Sequence, residues 1–475
     1  MWASLTTNNP PILRGHFHFY FPVFSYLTLG ICMSLMCGDI DSNLSIPDIA
    51  GLDWASFQEA EALFTHNHSY QAGPDTSPLP PMPAFTTSRP AAAWSCGLPN
   101  FNTAALAKRA SKLRNGTPCV VHLPDYQDLM KGTRNYHLDV EFADGVTWIA
   151  RIRQPPMNHA APPPPSVRSY LIQSEAATLR FLETTAVPAP RVFGYGLEGP
   201  DNPVGVGYIL MEKLPGAPLR WDVADPNQRR KVLEQLAEVY VELGRHPFAG
   251  LGSLDTPGSD HVGPFARELT FDLGACRSWR EYCVRYIVHV LGLIERGEIY
   301  TQRSADAFLI HRFLLDLVPR MAGLVGGWDE RFPFYLKHAD EKMDHVLVDE
   351  EFNITGVIDW ESAYTAPAFV AFNTPMGILP VKDFYDGVDD ILGEDEEVFL
   401  KMLKRKRGQG LSNGGGYGRL LHRFLFCIGF DIDKYPDDFE TLFKGLRNGV
   451  GVDQGVEWDW WRVVASQRYY DAKTI

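Results

Sequence analysis

Polarity alternates with a period of two along Tyr136 to Phe142 (YHLDVEF), the pattern of a half-buried strand. Asp144-Gly145 supplies a hairpin turn, and Thr147 to Arg153 (TWIARIR) reads as the returning strand. Val120 to Leu123 (VVHL) and the apolar run Gly207 to Leu214 (GYILMEKL), closed by Pro215-Gly216, read as further strands. Between them PPMNHAAPPPP is predicted to be a loop, and Ser174 to Thr184 (SEAATLRFLET) a helix. Beyond residue 216 the period changes. Asp225 caps a helix with Pro226 at its first position, Val232, Leu233, Leu236, Val239, Tyr240 and Leu243 recur at helical spacing, and Gly244 ends it. Further helices are predicted at 279–296, 305–324, 395–407 and 417–429. Leu336 to Glu361 interrupts them and reads as loop, strand (HVLVD), turn (EEFN) and strand (ITGVID). A strand-rich piece, a linker strand and a helical piece make a two-lobed α+β architecture.

Composition narrows the class. Hydrophobic content of 45% and charged content of 21% are those of a soluble globular chain. The net charge of -14 argues against a nucleic-acid partner, which would call for a basic surface. Seven cysteines show no CxxC pair and no zinc spacing, so they read as buried thiols in a reducing compartment; Cys276 and Cys283, seven apart, would share a helix face. Phe17 to Cys37 carries no Lys, Arg, Asp or Glu and is long enough for a membrane span or signal segment, although it holds a proline and many aromatics. Residues 39–118 read as a Pro-rich lead-in, partly disordered, with a short amphipathic piece from Trp54.

The chemistry lies in the interruption. His338-Ala339-Asp340 precedes one apolar strand, and a second delivers Asp359, so the hairpin brings both carboxylates to one open end. Such a pair suits phosphoryl transfer: one accepts the proton of an attacking hydroxyl, the other holds Mg²⁺ on nucleotide phosphates. HxD, an apolar strand and then IDWE resembles the aminoglycoside phosphotransferase and choline kinase-like family, over roughly residues 120–370. The resemblance implies a protein kinase-like fold, with a small antiparallel-sheet N-lobe (119–215) and a mostly helical C-lobe (216–475) whose catalytic loop spans 336–361. It implies Asp340 as catalytic base, His338 as the histidine of the catalytic loop and Asp359 as the magnesium ligand. Arg151 takes the place of the strand-borne cation, Glu175 that of its helix partner. Met211, Glu212 and Leu214 fall on the hinge strand that holds the adenine of ATP. Lys131 to Tyr136 (KGTRNY) occupies the slot of the phosphate-covering loop with a single glycine.

The sequence departs from that pattern at His345, where the family has a magnesium-ligating asparagine. Imidazole nitrogen is a poorer Mg²⁺ ligand than amide oxygen, and the adjacent Asp344 offers oxygen instead, so the expected metal set is Asp359, His345 and Asp344. The expected function is ATP-dependent transfer of phosphate to a hydroxyl of a small molecule; the alternative is a catalytically impaired kinase-like binding or scaffold protein. A protein kinase fits less well, because no APE-like element follows Asp359. The acidic run from Asp383 to Glu397 sits where the family often recognises substrate and would suit a cationic acceptor, although a solvated face is the simpler reading. Lys401 to Arg407 (KMLKRKR) is expected to pair with nearby acids, and the tail WDWWRVV to pack on the helical lobe. A membrane segment at 17–37 would send the site away from cytosolic ATP, so the expected location is cytoplasmic, with membrane anchoring through 17–37 as the alternative.

Overall fold

The computed structural model describes residues 101–123, 135–153, 163–267, 273–274, 276–387, 392–407, 417–430 and 432–469. The 17–37 and Trp54 segments and Lys131 to Arg134 lie outside these. Among the described residues, no helix is long and apolar enough to cross a membrane.

The N-lobe is one antiparallel sheet of five strands: β1 (Cys119–His122), β2 (Asn135–Phe142), β3 (Thr147–Arg153), β4 (Val192–Gly196) and β5 (Tyr208–Glu212), in the order β1-β2-β3-β5-β4. The β2–β3 turn holds Gly145 at φ 84°, with the Asp144 carboxylate accepting the Val146 N–H. Period two then divides the faces. Leu138, Val140, Trp148, Ala150, Ile152 and Leu210 form a small core on one side of the sheet. Helix α1 (Thr103–Leu113) closes that core with Leu106 and Ala110, its start capped by Asn102. The segment expected as a loose lead-in thus contributes an element of the lobe, because an amphipathic helix of three turns covers an otherwise wet sheet face.

On the opposite face lies α2 (Pro165–Leu182), which begins nine residues before the expected start. Proline at the first helical position loses no intrahelical bond, so the Pro-rich connector ends inside the helix rather than before it. β5 has both faces buried: Ile209 and Met211 join the large core beneath, while Tyr208 and Leu210 face α1.

The C-lobe contains α3 (Pro226–Leu243), opened by a capping box between Asp225 and Gln228, then α4 (Trp279–Glu295) and α5 (Ser304–Val325). Cys276 precedes α4, so the two cysteines do not share a helix face; both are free and buried. The two-residue strands β6 (Ala217–Pro218), β7 (Ser253–Leu254) and β8 (Val262–Gly263) come before α4, and four short strands carry the loop region: β9 (Phe334–Lys337), β10 (Val346–Val348), β11 (Ile354–Val357) and β12 (Tyr364–Pro367). β10 pairs with β11 as the expected hairpin, and β9 pairs with β12. The chain continues through α6 (Ala368–Ala371), α7 (Val381–Asp386), α8 (Glu394–Arg407), α9 (Gly418–Gly429), α10 (Pro436–Val450) and α11 (Trp458–Arg468). On α11, Trp461 is fully buried against Phe443, centroids 4.7 Å apart, which packs the aromatic tail onto the lobe. On α8, Arg405 and Lys406 pair with Glu234 and Glu238 of α3 at 2.6 Å each.

Candidate phosphotransfer site

Alternation along β3 sends Arg151 and Arg153 to the face turned from the α1 core. Arg151 is buried and meets three carboxylates: Glu175 of α2 at 3.1 Å, Asp359 at 2.6 Å and Glu361 at 3.0 Å. Arg153 reaches the second oxygen of Glu361 at 3.1 Å, and the Asn135 amide donates to Glu361 at 2.5 Å. Directly opposite Arg151 across the ladder, His137 accepts from its guanidinium at 3.1 Å; burial, reinforced by that cation, lowers the imidazole pKa to about 4 and leaves it neutral. Burial opposes charge on Arg151 too, but Glu175, Asp359 and Glu361 outweigh it and hold the guanidinium ionised. The structure places the sequence-predicted Arg151, Glu175 and Asp359 together, and adds Glu361, Arg153 and His137, which sequence reading overlooked. The signal was present: Glu361 stands two residues after Asp359, as Arg153 does after Arg151.

Asp359 has φ 64°, the left-handed region that costs a non-glycine residue of order 1 kcal/mol or more. The strain turns its carboxylate into the cleft, where the side chain stays 43% exposed. Burial alone would raise its pKa, but the Arg151 cation prevails and holds it below the usual range. One oxygen bonds Arg151; among the described residues the other has no hydrogen-bond partner.

His338 ties the two loops together. Its Nε2–H donates to the Ile358 carbonyl at 2.9 Å, its Nδ1 accepts the Asp340 N–H at 3.0 Å, and Trp360 packs edge-on against the ring. Asp340 is mostly buried. Its Oδ2 pairs with Lys342 at 2.7 Å, while Oδ1 has no hydrogen-bond partner among the described residues. Burial raises the carboxyl to about 7; Lys342 works against this, and Asp359 and Asp344 add to it. Lys342 was a mere departure from the family pattern in the sequence, yet it is the charge that most helps Asp340 ionise.

His345 is buried and tilted against His338 with centroids 4.4 Å apart; its Nδ1 accepts the Met343 N–H at 3.2 Å. Burial and the neighbouring His338, Lys342 and Lys337 keep it neutral, so Nε2 carries the proton and offers no lone pair in this tautomer. Asp344 is exposed beside Asp340 and Lys342. Among the described residues no three His, Cys, Asp or Glu side chains are grouped as a self-sufficient metal cage.

At the lobe junction, Met211 is buried in the core and Glu212 is held to Arg191, its N–H on that residue's carbonyl at 2.9 Å. Lys213 and Leu214 leave both ladders, and β6 (Ala217–Pro218) rejoins β10. Leu214 rests on Gly356, where an added Cβ would lie 2.5 Å from its Cδ1.

Among the described residues of the acidic run, four carboxylates are paired. Glu396 forms a buried pair with Arg419 at 2.6 Å, Asp395 meets Arg229 at 3.1 Å, Glu397 meets Lys401 at 2.8 Å, and Asp386 pairs with Lys382. Residues 388–391 of the run lie outside the described residues. A cavity of about 70 Å³ instead opens beneath the catalytic loop, with Ala339 and Glu341, either side of Asp340, in its wall.

Residues 127–370, just over half of the chain, match the profile of the APH phosphotransferase enzyme family. The chain belongs to that family. Its two-lobed architecture is the protein kinase-like one. A subtelomeric hrmA-associated cluster protein of Aspergillus fumigatus is 32% identical over 136 residues, 28% of this chain and 25% of that one, so the match spans about a quarter of that relative's length. Clavilactone A biosynthesis cluster protein Y of Ampulloclitocybe clavipes is 25% identical over 298 residues, 56% of this chain and 69% of that one. Similar solved structures include a putative fructosamine-3-kinase from Thermobifida fusca, at 16% identity and TM-score 0.46 over 73% of this chain and 100% of that one. Another is an aminoglycoside phosphotransferase in ternary complex with AMP-PNP and hygromycin B, at 16% identity and TM-score 0.41 over 74% and 99%.

Proposed function

We propose that this protein transfers the γ-phosphoryl group of ATP to a hydroxyl of a small molecule, with Asp340 as the proton acceptor. The observation that carries the reading is the state of Asp340: one carboxylate oxygen buried without a partner, the other held by Lys342. A buried orphan acceptor is costly in isolation and is satisfied when a substrate hydroxyl donates to it. In the transfer, the acceptor oxygen bonds the γ-phosphorus, the bond to the β-phosphate oxygen breaks, ADP leaves, and the hydroxyl proton passes to Asp340.

The remaining residues position and neutralise. Arg151, fixed by Glu175 and Glu361, faces the phosphates with a guanidinium that stays charged. The backbone from Glu212 to Leu214 serves the adenine. His338 holds the catalytic loop against the Asp359 segment. Magnesium fits the donor set: the unbonded oxygen of Asp359 and the exposed Asp344 are hard oxygen ligands, and Mg²⁺ is ordinarily held by one or two carboxylates plus phosphate and water. When bound it would neutralise phosphate charge. His345, with Nδ1 occupied, acts as a loop support rather than a ligand.

A second reading is a nucleotide-holding protein without turnover, favoured by His345 bringing no oxygen to the metal side. Replacing Asp340 by Asn separates the two. We expect Mg·ATP turnover to fall at least ~100-fold with ATP affinity within about threefold of wild type, since general-base loss is typically a 10²–10⁴-fold effect. Turnover undiminished in the variant would overturn the base assignment; no turnover in either protein would favour the second reading.

A further inference from the structure

Lys337 and Glu341 bracket the segment that carries Asp340, and their side chains meet. Four residue steps of extended chain would part them by about 13 Å. Instead Lys337 Nζ lies 2.5 Å from Glu341 Oε2, so the ion pair closes residues 338–340 into a tight loop. Both residues are only 6% exposed. The other Glu341 oxygen accepts the hydroxyl of Tyr240 from α3 at 2.5 Å, and the Lys337 ammonium lies 5.9 Å from the centre of the same ring. Burial and the Glu341 carboxylate hold the Tyr240 hydroxyl well above its ordinary range, so it stays a donor. Tyr240 is itself set in the C-lobe core, edge-on to Phe399 of α8 at 5.3 Å and tilted against Phe372 at 6.4 Å. The main chain of Glu341 is held as well, its carbonyl accepting the Gly377 N–H at 3.0 Å. Glu341 is thus fastened to three separate segments, and Asp340 is the residue just before it.

Such a cluster is a poor way to gain stability. The desolvation of two charges roughly cancels their attraction, and apolar side chains of the same volume would fill the site equally well. What a fully bonded polar cluster adds is a single arrangement where apolar contacts allow several. The loop has need of that, because the cavity of about 70 Å³ borders it, with Lys337, His338, Ala339 and Glu341 in the wall. Close packing does not fix the loop from that side. His338 alone steadies it from the other, through the Asp340 N–H and the Ile358 carbonyl.

We propose that Glu341, clamped by Lys337 and Tyr240, is a positioning residue for the transfer: it fixes the backbone around Asp340 and so keeps that carboxylate aimed into the cleft. The inference rests on the reading of Asp340 as the proton acceptor. Lys337 and Glu341 act through Asp340 and make no contact of their own with the reacting groups. Misplacing a reacting group by about 1 Å costs roughly 100-fold in rate.

The test replaces the whole cluster by apolar side chains of similar size, Lys337→Met, Glu341→Leu and Tyr240→Phe together, so that no buried polar group is stranded. We expect the melting temperature to stay within ~3 °C of wild type and ADP release from Mg·ATP to fall ~100-fold. Calorimetric ATP affinity should stay within about twofold, because the nucleotide contacts lie elsewhere. Hydrogen exchange should quicken at least ~10-fold in the amides of 338–343 and stay unchanged in α5 and α10. Tyr240→Phe alone, which keeps the ion pair and removes one support, serves if the triple variant does not fold. For it we expect a ~5-fold loss of turnover at unchanged ATP affinity, again with faster loop exchange. A folded variant that turns over at the wild-type rate, that loses turnover and ATP affinity in parallel, or whose loop exchanges as slowly as wild type would overturn the assignment. If wild type itself releases no ADP, the phosphotransferase reading fails, and loop exchange alone then decides whether the clamp stands.

Discussion

Replacing Lys342 by Met keeps the length of the side chain and removes the ammonium that lies 2.7 Å from Asp340 Oδ2. The carboxyl now stands at about 7 because burial raises it and Lys342 offsets part of that rise. Charges about 4 Å apart interact by ~1 kcal/mol in water and ~4 kcal/mol at an effective dielectric of about 20. Both side chains are largely buried, 19% and 26% exposed, which places the pair toward the upper part of that range. Loss of ~2–4 kcal/mol corresponds to a rise of roughly 1.5–3 pKa units, to about 8.5–10. At pH 7 half of the wild-type Asp340 is ionised, against roughly 3% to 0.1% in the variant, so turnover should fall ~15- to 500-fold and recover as pH rises. The assay is ADP release from Mg·ATP between pH 5.5 and 10, with water as the default acceptor. An acidic limb that stays at the wild-type position in Lys342→Met would refute the coupling. A uniform loss at every pH would place Lys342 on the phosphates instead of on the base.

Because the folded-state pKa of Asp340 lies above the unfolded value of about 3.9, stability is greatest with it protonated and declines as pH rises from about 4 to about 7, by up to ~4 kcal/mol. Urea midpoints at pH 5 and pH 8 should differ less in Asp340→Asn than in wild type; an equal difference would place the titrating group elsewhere. Glu361→Ala leaves two buried arginines short of a carboxylate and should cost ~3–5 kcal/mol in urea unfolding, with Glu361→Gln milder because Asn135 and one arginine can still be answered. A loss under 1 kcal/mol would show that Asp359 and Glu175 suffice. His345→Ala should leave the Mg²⁺ dependence of ATP binding within about twofold, whereas a true ligand would shift it tenfold or more by analogy with other metal sites. Trp461→Ala, emptying a site walled by Phe313, Phe443 and Trp458, should destabilise by ~3–5 kcal/mol, read by thermal or urea melting.

The sheet and the long helices were legible because their burial is periodic: β2 and β3 alternate, and α3, α4, α5, α8 and α9 fall within a residue or two of their predicted bounds. The start of α2 was not, since a run of prolines conceals a helix that begins on its last member. α1 and α10 were missed although each is amphipathic, because the partner it docks on, sheet or helix, comes from elsewhere in the chain. Within the site, the spacing of HxD and IDWE located Asp340 and Asp359. What spacing cannot convey is which charges face each other across lobes. Arg151 and Glu361 are 210 positions apart in sequence and 3.0 Å apart in space. Lys342, read as a departure, becomes intelligible only with the geometry of its contact to Asp340. The acidic run read most simply as a solvated face, because sequence shows charge and hides partners; Arg419 and Arg229, which pair with Glu396 and Asp395, come from other elements.

The central claim, that the Asp359–Arg151 cleft takes a nucleotide with magnesium, is tested most directly by calorimetric titration of ATP with and without Mg²⁺ into wild type and Asp359→Ala. Binding in wild type is expected to depend on Mg²⁺ and to be lost in the variant. No binding of ATP or GTP to wild type under any metal condition would contradict it.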